Sequence, residues 1–213
     1  QTGSAMVREL LGGSQPRATR VVAYGNSRLP TYSGAVRAEN FEARQASMEE
    51  LATTSKSQIT GFDNIFIHVG TQRGKVGLEQ QIQLEFDHTL AVAQAAFAAG
   101  CLTCHLVSSV GASPSSSVTY LKTKGRVEEA LKTIGFQRLV IYRPASLIGG
   151  DRDVPGLKRT MVSCLCSLGI LAKIDVNLVA VAMRVVALRL SVGTVEVLEN
   201  AELLRVAATA SST

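Results

Sequence analysis

The stretch Leu106–Lys124, LVSSVGASPSSSVTYLKTK, governs how the rest of the chain is read. It begins as a short apolar run, passes Ser108 and Ser109 and a serine-rich loop, and ends on Tyr120 and Lys124, four residues apart. On a helix that spacing stacks the two side chains one turn apart on a single face. A phenol with a reference pKa of about 10 is a poor acid, but a fixed cation beside it favours its anion. Tyr120 and Lys124 therefore form a candidate general acid/base pair. Ser109, at the end of the expected strand, returns to the same point through the loop, where its hydroxyl can hold a substrate oxygen. Tyr-x-x-x-Lys also arises by accident on amphipathic helices, so its weight depends on its flanks.

Upstream, DNIFIHVG predicts a strand of bulky apolar residues that stops at Gly70. Gly70 lets the backbone approach a ribose and Thr71 offers a hydroxyl, with a plain glycine turn as the alternative. A long helix follows, roughly Leu78 to Ala99, with Gly100 as its stop, and Cys104 to Ser108 is the next strand. Downstream, GRVEEALKTIG continues the tyrosine helix to Gly135, and Phe136 to Tyr142 is a further strand. Pro144 bends the chain just beyond it, so that Ala145, Ser146 and Leu147 are expected to form a small apolar wall for a flat ring. NLVAVAMRVVALRL predicts a helix with a strongly apolar face, and VEVLEN a last edge strand.

At the start, SAMVRELLGG predicts a short helix with Met6, Val7, Leu10 and Leu11 on one side and Gly12 and Gly13 as its stop. Gly3 is either the glycine that lets helix and strand pack closely in a phosphate-binding turn or a flexible terminal residue. Val21, Val22, Ala23 and Tyr24 suit a parallel strand ending at Gly25, and AENFEARQASMEELATT supplies another amphipathic passage. Strands alternating with helices imply an α/β, doubly wound, parallel, Rossmann-like sheet with ligand at the C-terminal strand ends. One domain over residues 1–213 is expected, with a small substrate-side portion at about 150–213. In such a fold the residues after the strand ending at Gly25 meet the adenosine ribose, where a carboxylate favours NAD and polar or basic residues accept the extra phosphate of NADP. Asn26, Ser27 and Arg28 stand there, so NADP is expected ahead of NAD.

Composition removes several classes. With 46% hydrophobic and 18% charged residues and no Trp, the chain is neither disordered nor a coiled coil. The net charge of +5 is spread without a Lys/Arg run, which argues against nucleic acid as a partner. No apolar run reaches the roughly 18 residues of a membrane span, and the start lacks the pattern of a signal peptide. Cys101 and Cys104 lack the turn residues of a zinc knuckle, and Cys164 and Cys166 are one residue apart. Buried free thiols are expected rather than a metal site, and with them a reducing, cytoplasmic setting.

The ordered set GTQRGKVG, FDHTLAVAQAAFAAGCLTCHLVSSVGA, YLKTKGRVE and YRPASLIGGDR resembles the oxidoreductase-like Tat-interacting protein family, atypical members of the short-chain dehydrogenases/reductases. The resemblance runs from Gln1 to about Glu202. It implies an NADPH-binding Rossmann fold in which Tyr120 is the catalytic acid/base, Lys124 holds the nicotinamide ribose and assists the tyrosine, and Ser109 orients substrate. It also implies that Gln1 and Thr2 border the phosphates and that Leu147 touches the cofactor. Two departures stand out. The family's Arg pair after the second strand is replaced by Asn26 and Ser27, with Arg28 one place later. The family's first strand and first glycines do not appear, so a strand ending in a glycine-rich turn is expected upstream of Gln1. The activity implied is an NADP(H)-dependent oxidoreductase acting on a small-molecule carbonyl or alcohol. Its rival is a non-catalytic NADPH-binding protein that senses redox state or presents a surface to a protein partner. A sugar-nucleotide epimerase is disfavoured, because the part after Gly150 is short for a separate substrate domain.

Overall fold

The computed structural model describes residues 2–12, 18–25, 40–53, 59–69, 77, 79–80, 82–149, 172–189 and 194–210. Helix α1 (Thr2–Leu11) leads to strands β1 (Val21–Gly25) and β2 (Phe41–Gln45), helix α2 (Met48–Thr53) and strand β3 (Asn64–Ile67). A π-helical turn (Gln83–Asp87) runs into α3 (His88–Ala98), followed by β4 (Thr103–Val107), α4 (Thr119–Lys132) and β5 (Arg138–Arg143). Short strands β6 (Ser146–Ile148) and β7 (Lys173–Asp175) precede α5 (Val176–Ala187), β8 (Thr194–Glu199) and α6 (Asn200–Ala210).

Strands β3, β4, β5 and β8 form one parallel sheet in that order. The period of two along its central strands divides the core. Cys104, Leu106, Leu139 and Ile141 face Ala93 of α3 and Val127 and Leu131 of α4. Val107, Val140 and Tyr142 face Ala5 and Met6 of α1, the apolar stripe of α5 and Leu203 and Val206 of α6. With both faces covered, the central strands bury apolar side chains on both sides, as a doubly wound sheet requires. Arg138 ties the layers together: its guanidinium donates to the carbonyls of Val186 at 2.9 Å and Arg189 at 3.1 Å, past the end of α5, and to Glu196 of β8 at 2.8 Å.

Several expectations change here. The passage around Glu42 is a strand followed by a helix, not one amphipathic element: β2 pairs in parallel with β1, from Val21 opposite Phe41 to Gly25 opposite Gln45. Ser47 and Glu50 then start α2 reciprocally, the Ser47 amide donating to Glu50 Oε2 at 2.6 Å and the Glu50 amide to Ser47 Oγ at 3.0 Å. The end of α3 follows expectation. Gly100 takes a φ of 92°, and the amides of Cys101 and Gly100 close back on Ala96 and Phe97, so the left-handed residue satisfies carbonyls that the helix would otherwise leave open. Strand β8 is the sheet edge, as expected, but the chain continues into α6, which was not anticipated. Among the described residues, β1 and β2 form a separate two-stranded sheet rather than extending the larger one.

Helix α1 bridges the two sheets. Val7 and Leu11 pack on Val21 of β1, while Ala5 and Met6 join the core that includes Phe66 of β3. Before the strands begin, the Arg20 guanidinium lies 5.0 Å over the Phe62 ring.

Candidate active site

The site lies at the C-terminal ends of β3, β4 and β5. Tyr120 opens α4 and is 38% exposed, whereas Lys124, one turn on, is 3% exposed. The phenol is therefore reachable from solvent and the ammonium is not. Lys124 Nζ lies 5.8 Å from the Tyr120 ring centroid, within the range of a cation–π contact. The ammonium donates to the Val69 carbonyl at 2.7 Å and makes an ion pair with Glu85 Oε2 at 3.3 Å. Burial pulls the Lys124 pKa below the usual lysine value, and Glu85, with a smaller contribution from Glu128, works against that shift. A lysine has three N–H donors, so two fixed partners among the described residues leave one for a ligand.

The paired serines divide their work. Ser108 is buried and donates to Glu128 Oε1 at 2.5 Å. The same carboxylate takes a two-pronged contact from Arg143, whose Nη1 also reaches Glu199 at 2.8 Å. Ser108 thus belongs to a polar lock joining β4, α4, β5 and β8. Ser109 is half-buried, and among the described residues its hydroxyl has only a long 3.4 Å contact to the Val110 carbonyl, which lets it turn to a substrate oxygen. The loop leaving Ser109 folds back on the tyrosine helix, with the Ser113 amide donating to the Leu121 carbonyl at 3.2 Å. That fold-back brings the serine loop onto α4 at the turn after Tyr120.

At the other side of the site, Thr2 is buried at the head of α1, and Gly3 lies against the His68 ring. A Cβ built on Gly3 would meet that ring at 3.7 Å, an ordinary contact, so the His68 ring by itself does not demand glycine here. His68 is half-buried, but both its ring nitrogens are shielded from solvent and neither has a partner among the described residues; desolvation holds its pKa down at about 4. Adjacent residues of one strand end thus touch both halves of the site: His68 the head of α1, and Val69 the Lys124 ammonium.

Other expected residues fare differently. Gly25 ends β1, and its carbonyl accepts from the Ala46 amide at 3.1 Å. Leu147 sits half-buried in β6, opposite Ile174 of β7 in a short parallel ladder, and packs against the larger core. Just before it, the Ala145 amide donates to Asn200 Oδ1 at 2.9 Å, which ties the segment after Pro144 to the head of α6. Gln1, Asn26, Ser27, Arg28, Gly70 and Thr71 lie outside the described residues, as do Cys164 and Cys166. Cys101 and Cys104 are buried free thiols, and burial raises the Cys101 pKa to about 11. Glu85, Glu128 and His68 were missed from sequence. Glu128, four residues after Lys124, was legible as a helix-face neighbour; Glu85 was not, because it reaches the lysine only through the π-turn.

A three-layered parallel sheet with a Tyr/Lys pair at its C-terminal edge defines an α/β protein of Rossmann type. Comparisons with known proteins agree. No family model matches the chain. Its homologues include protein HTATIP2 of Rattus norvegicus, 33% identical over 70% of this chain and 59% of that protein. They also include the mitochondrial FMP52 protein of Eremothecium gossypii, 39% identical over 47% of this chain and 46% of that protein, and the mitochondrial fmp52 of Aspergillus niger, 34% identical over 71% and 64%. The matches thus span from about half to under two thirds of these relatives' lengths. Among solved structures, DesIV, a dTDP-glucose 4,6-dehydratase from Streptomyces venezuelae with NAD and TYD bound, superimposes with a TM-score of 0.67 at 17% identity, covering 98% of this chain and 77% of that one. A UDP-glucose 4-epimerase from Bifidobacterium longum in complex with NAD+ and UDP gives 0.68 at 13% identity, covering 93% and 73%. At such identities these likenesses establish the fold and nothing of the substrate. The names of the FMP52 relatives overturn the expectation of a cytoplasmic protein. Buried thiols speak for a reducing interior, which is not specific to the cytoplasm.

Proposed function

We propose that the protein is an NADP(H)-dependent oxidoreductase of short-chain dehydrogenase/reductase type, reducing a carbonyl or oxidising an alcohol. The observation that carries this reading is the shared strand end: His68 adjoins the head of α1 and Val69 holds Lys124, so a helix N-terminus suited to phosphate and a Tyr/Lys pair are reached from two consecutive residues. The residues present fit a nicotinamide dinucleotide. Thr2 and Gly3 would border its phosphates, Gly25 to Arg28 its adenosine ribose, Gly70 and Thr71 its backbone-facing side, and Lys124, through its remaining N–H, the nicotinamide ribose. Such a cofactor supplies or accepts hydride when bound. Tyr120 gives a proton to the carbonyl oxygen, or takes one from the alcohol, and Ser109 holds that oxygen by a hydrogen bond. With no carboxylate from Gly25 to Arg28, NADPH is expected to bind more tightly than NADH, by about 1.5–3 kcal/mol where one charged hydrogen bond reaches the 2'-phosphate.

The names of the FMP52 relatives support a mitochondrial location, which fractionation of the full-length protein checks. The reaction is tested with a carbonyl panel followed by NADPH oxidation. Tyr120→Phe keeps the ring and should leave nucleotide affinity nearly unchanged while turnover falls by roughly 10²- to 10⁴-fold. A Tyr120→Phe protein that turns over like its parent would overturn the acid/base role. A parent that binds NADPH but reduces nothing in a broad panel would favour the non-catalytic binding protein.

A further inference from the structure

We infer that Glu85 is a positioning residue for Lys124: from the π-turn ahead of α3, its carboxylate anchors the lysine ammonium against the Val69 carbonyl and beside the Tyr120 ring. The inference rests on the reading of Tyr120 and Lys124 as an oxidoreductase pair. Three independent features lead to it. Glu85 is 1% exposed, and a carboxylate is not buried without a partner of opposite charge. An opposite charge is at hand in the Lys124 ammonium, 3.3 Å from Oε2. The backbone is also irregular there: Gln83–Asp87 is π-helical, a rare form that often marks functional positions and that rotates a residue away from the face it would take on an uninterrupted helix.

A lysine with four carbons of flexible stem does not hold one position unaided. Val69 supplies only a neutral acceptor. Glu85 adds the charge that offsets the desolvation of the ammonium, so the lysine stays both protonated and in place. The elements packed against α4 include the π-turn, α3 and β5, together with the serine loop, which carries no titratable group. Their titratable or charged groups nearby are Glu85 and Asp87 on the turn, His88 at the head of α3, and Arg143 on β5. On α4 itself stand Tyr120 and Glu128. Glu128 also favours the charged lysine, but its two oxygens are engaged by Ser108 and Arg143. Glu85 is therefore the carboxylate that contacts the ammonium directly.

The experiment uses the full-length protein with Glu85→Gln, which keeps size and removes charge, and Glu85→Asp, which keeps charge on a shorter stem. NADPH binding is followed by fluorescence from about pH 6 to pH 10. Binding should fade on the alkaline side as Lys124 loses its proton. Glu85→Gln should move that midpoint down by about one pH unit or more, and Glu85→Asp should restore part of the shift. A packing role alone would weaken binding without moving the midpoint. On a Lys124→Met background, Glu85→Gln should cost little more, since its effect passes through the lysine. An unmoved midpoint, or a Glu85→Asp protein indistinguishable from Glu85→Gln, overturns the inference while leaving the proposed function standing. A parent that binds neither NADPH nor NADH instead sinks the proposed function. The anchoring is then read directly by NMR titration of the Lys124 side chain, where an equal midpoint in parent and Glu85→Gln overturns it.

Discussion

His105 shows how a single buried ionisable side chain makes the fold sensitive to acid. Its ring is fully buried between β3 and β5 and stacked on Phe66, with centroids 4.3 Å apart. Nδ1 lies 2.8 Å from the Tyr142 hydroxyl and Nε2 3.2 Å from Asn64 Oδ1. Since the Asn64 oxygen can only accept, Nε2 carries the proton, and Nδ1 accepts from Tyr142: the site is built for a neutral imidazole. Burial accordingly holds its pKa at about 3, against an ordinary 6.5. The folded value lies below the unfolded one, so the unfolded chain takes the proton first. The stabilisation is full above pH 6.5 and is lost as pH falls towards 3, at up to about 1.4 kcal/mol per pH unit. Urea unfolding of the parent and of His105→Gln at neutral and mildly acidic pH should therefore show a steeper acid loss in the parent. Equal slopes would mean that the ring is protonated without cost.

Among elements, the contact between the serine loop and α4 turns on one glycine. A Cβ on Gly125 would stand 2.2 Å from the Ser113 carbonyl carbon and 2.5 Å from the Pro114 nitrogen, closer than real atoms approach, and both neighbours are backbone. Helix propensity favours alanine over glycine by up to about 1 kcal/mol, so on an isolated helix Gly125→Ala would be a gain. Here overpacking, typically about 1–3 kcal/mol, opposes it and should prevail. Gly125→Ala is expected to lower Tm, and to lower turnover as well because the displaced loop carries Ser109. A variant that melts higher than its parent would show that the loop does not rest on α4. The same face of the helix is tied to β5 by the Glu128–Arg143 pair, which is why the loop and not the helix should move.

At the scale of the whole molecule, the division into two sheets has a physical consequence. Strands β1 and β3 each pair on one side only among the described residues, with β2 and β4 respectively, and α1 packs on both. Each backbone group left unpaired under such a cover costs about 1–3 kcal/mol. We propose that a strand upstream of Gln1 seats in parallel between β1 and β3 and joins the two sheets into one. Hydrogen exchange on the full-length protein should then find the amides of residues 21–25 and 64–67 protected to the level of β4. Fast exchange in both segments would exclude the inserted strand.

Short-range chemistry was legible from the sequence alone: β1, β3, β4, β5, α4 and α5 all follow from apolar periodicity and glycine stops, and Tyr120 and Lys124 share a face because the helix repeat requires it. The resemblance to relatives of HTATIP2 was likewise carried by ordered local motifs. Strand β2 escaped notice because FEARQ is short, its apolar alternation is confined to Phe41 and Ala43, and it owes its conformation to the ladder with β1. Only the tertiary structure separated Ser108, locked to Glu128, from Ser109, since identical neighbours differ only in which way the pleat turns them. It alone paired the Leu147 strand with β7 and brought Glu85 to Lys124. Those contacts join residues far apart in the chain, and neither spacing nor composition encodes a partner that only the packing of helices on a sheet brings within reach.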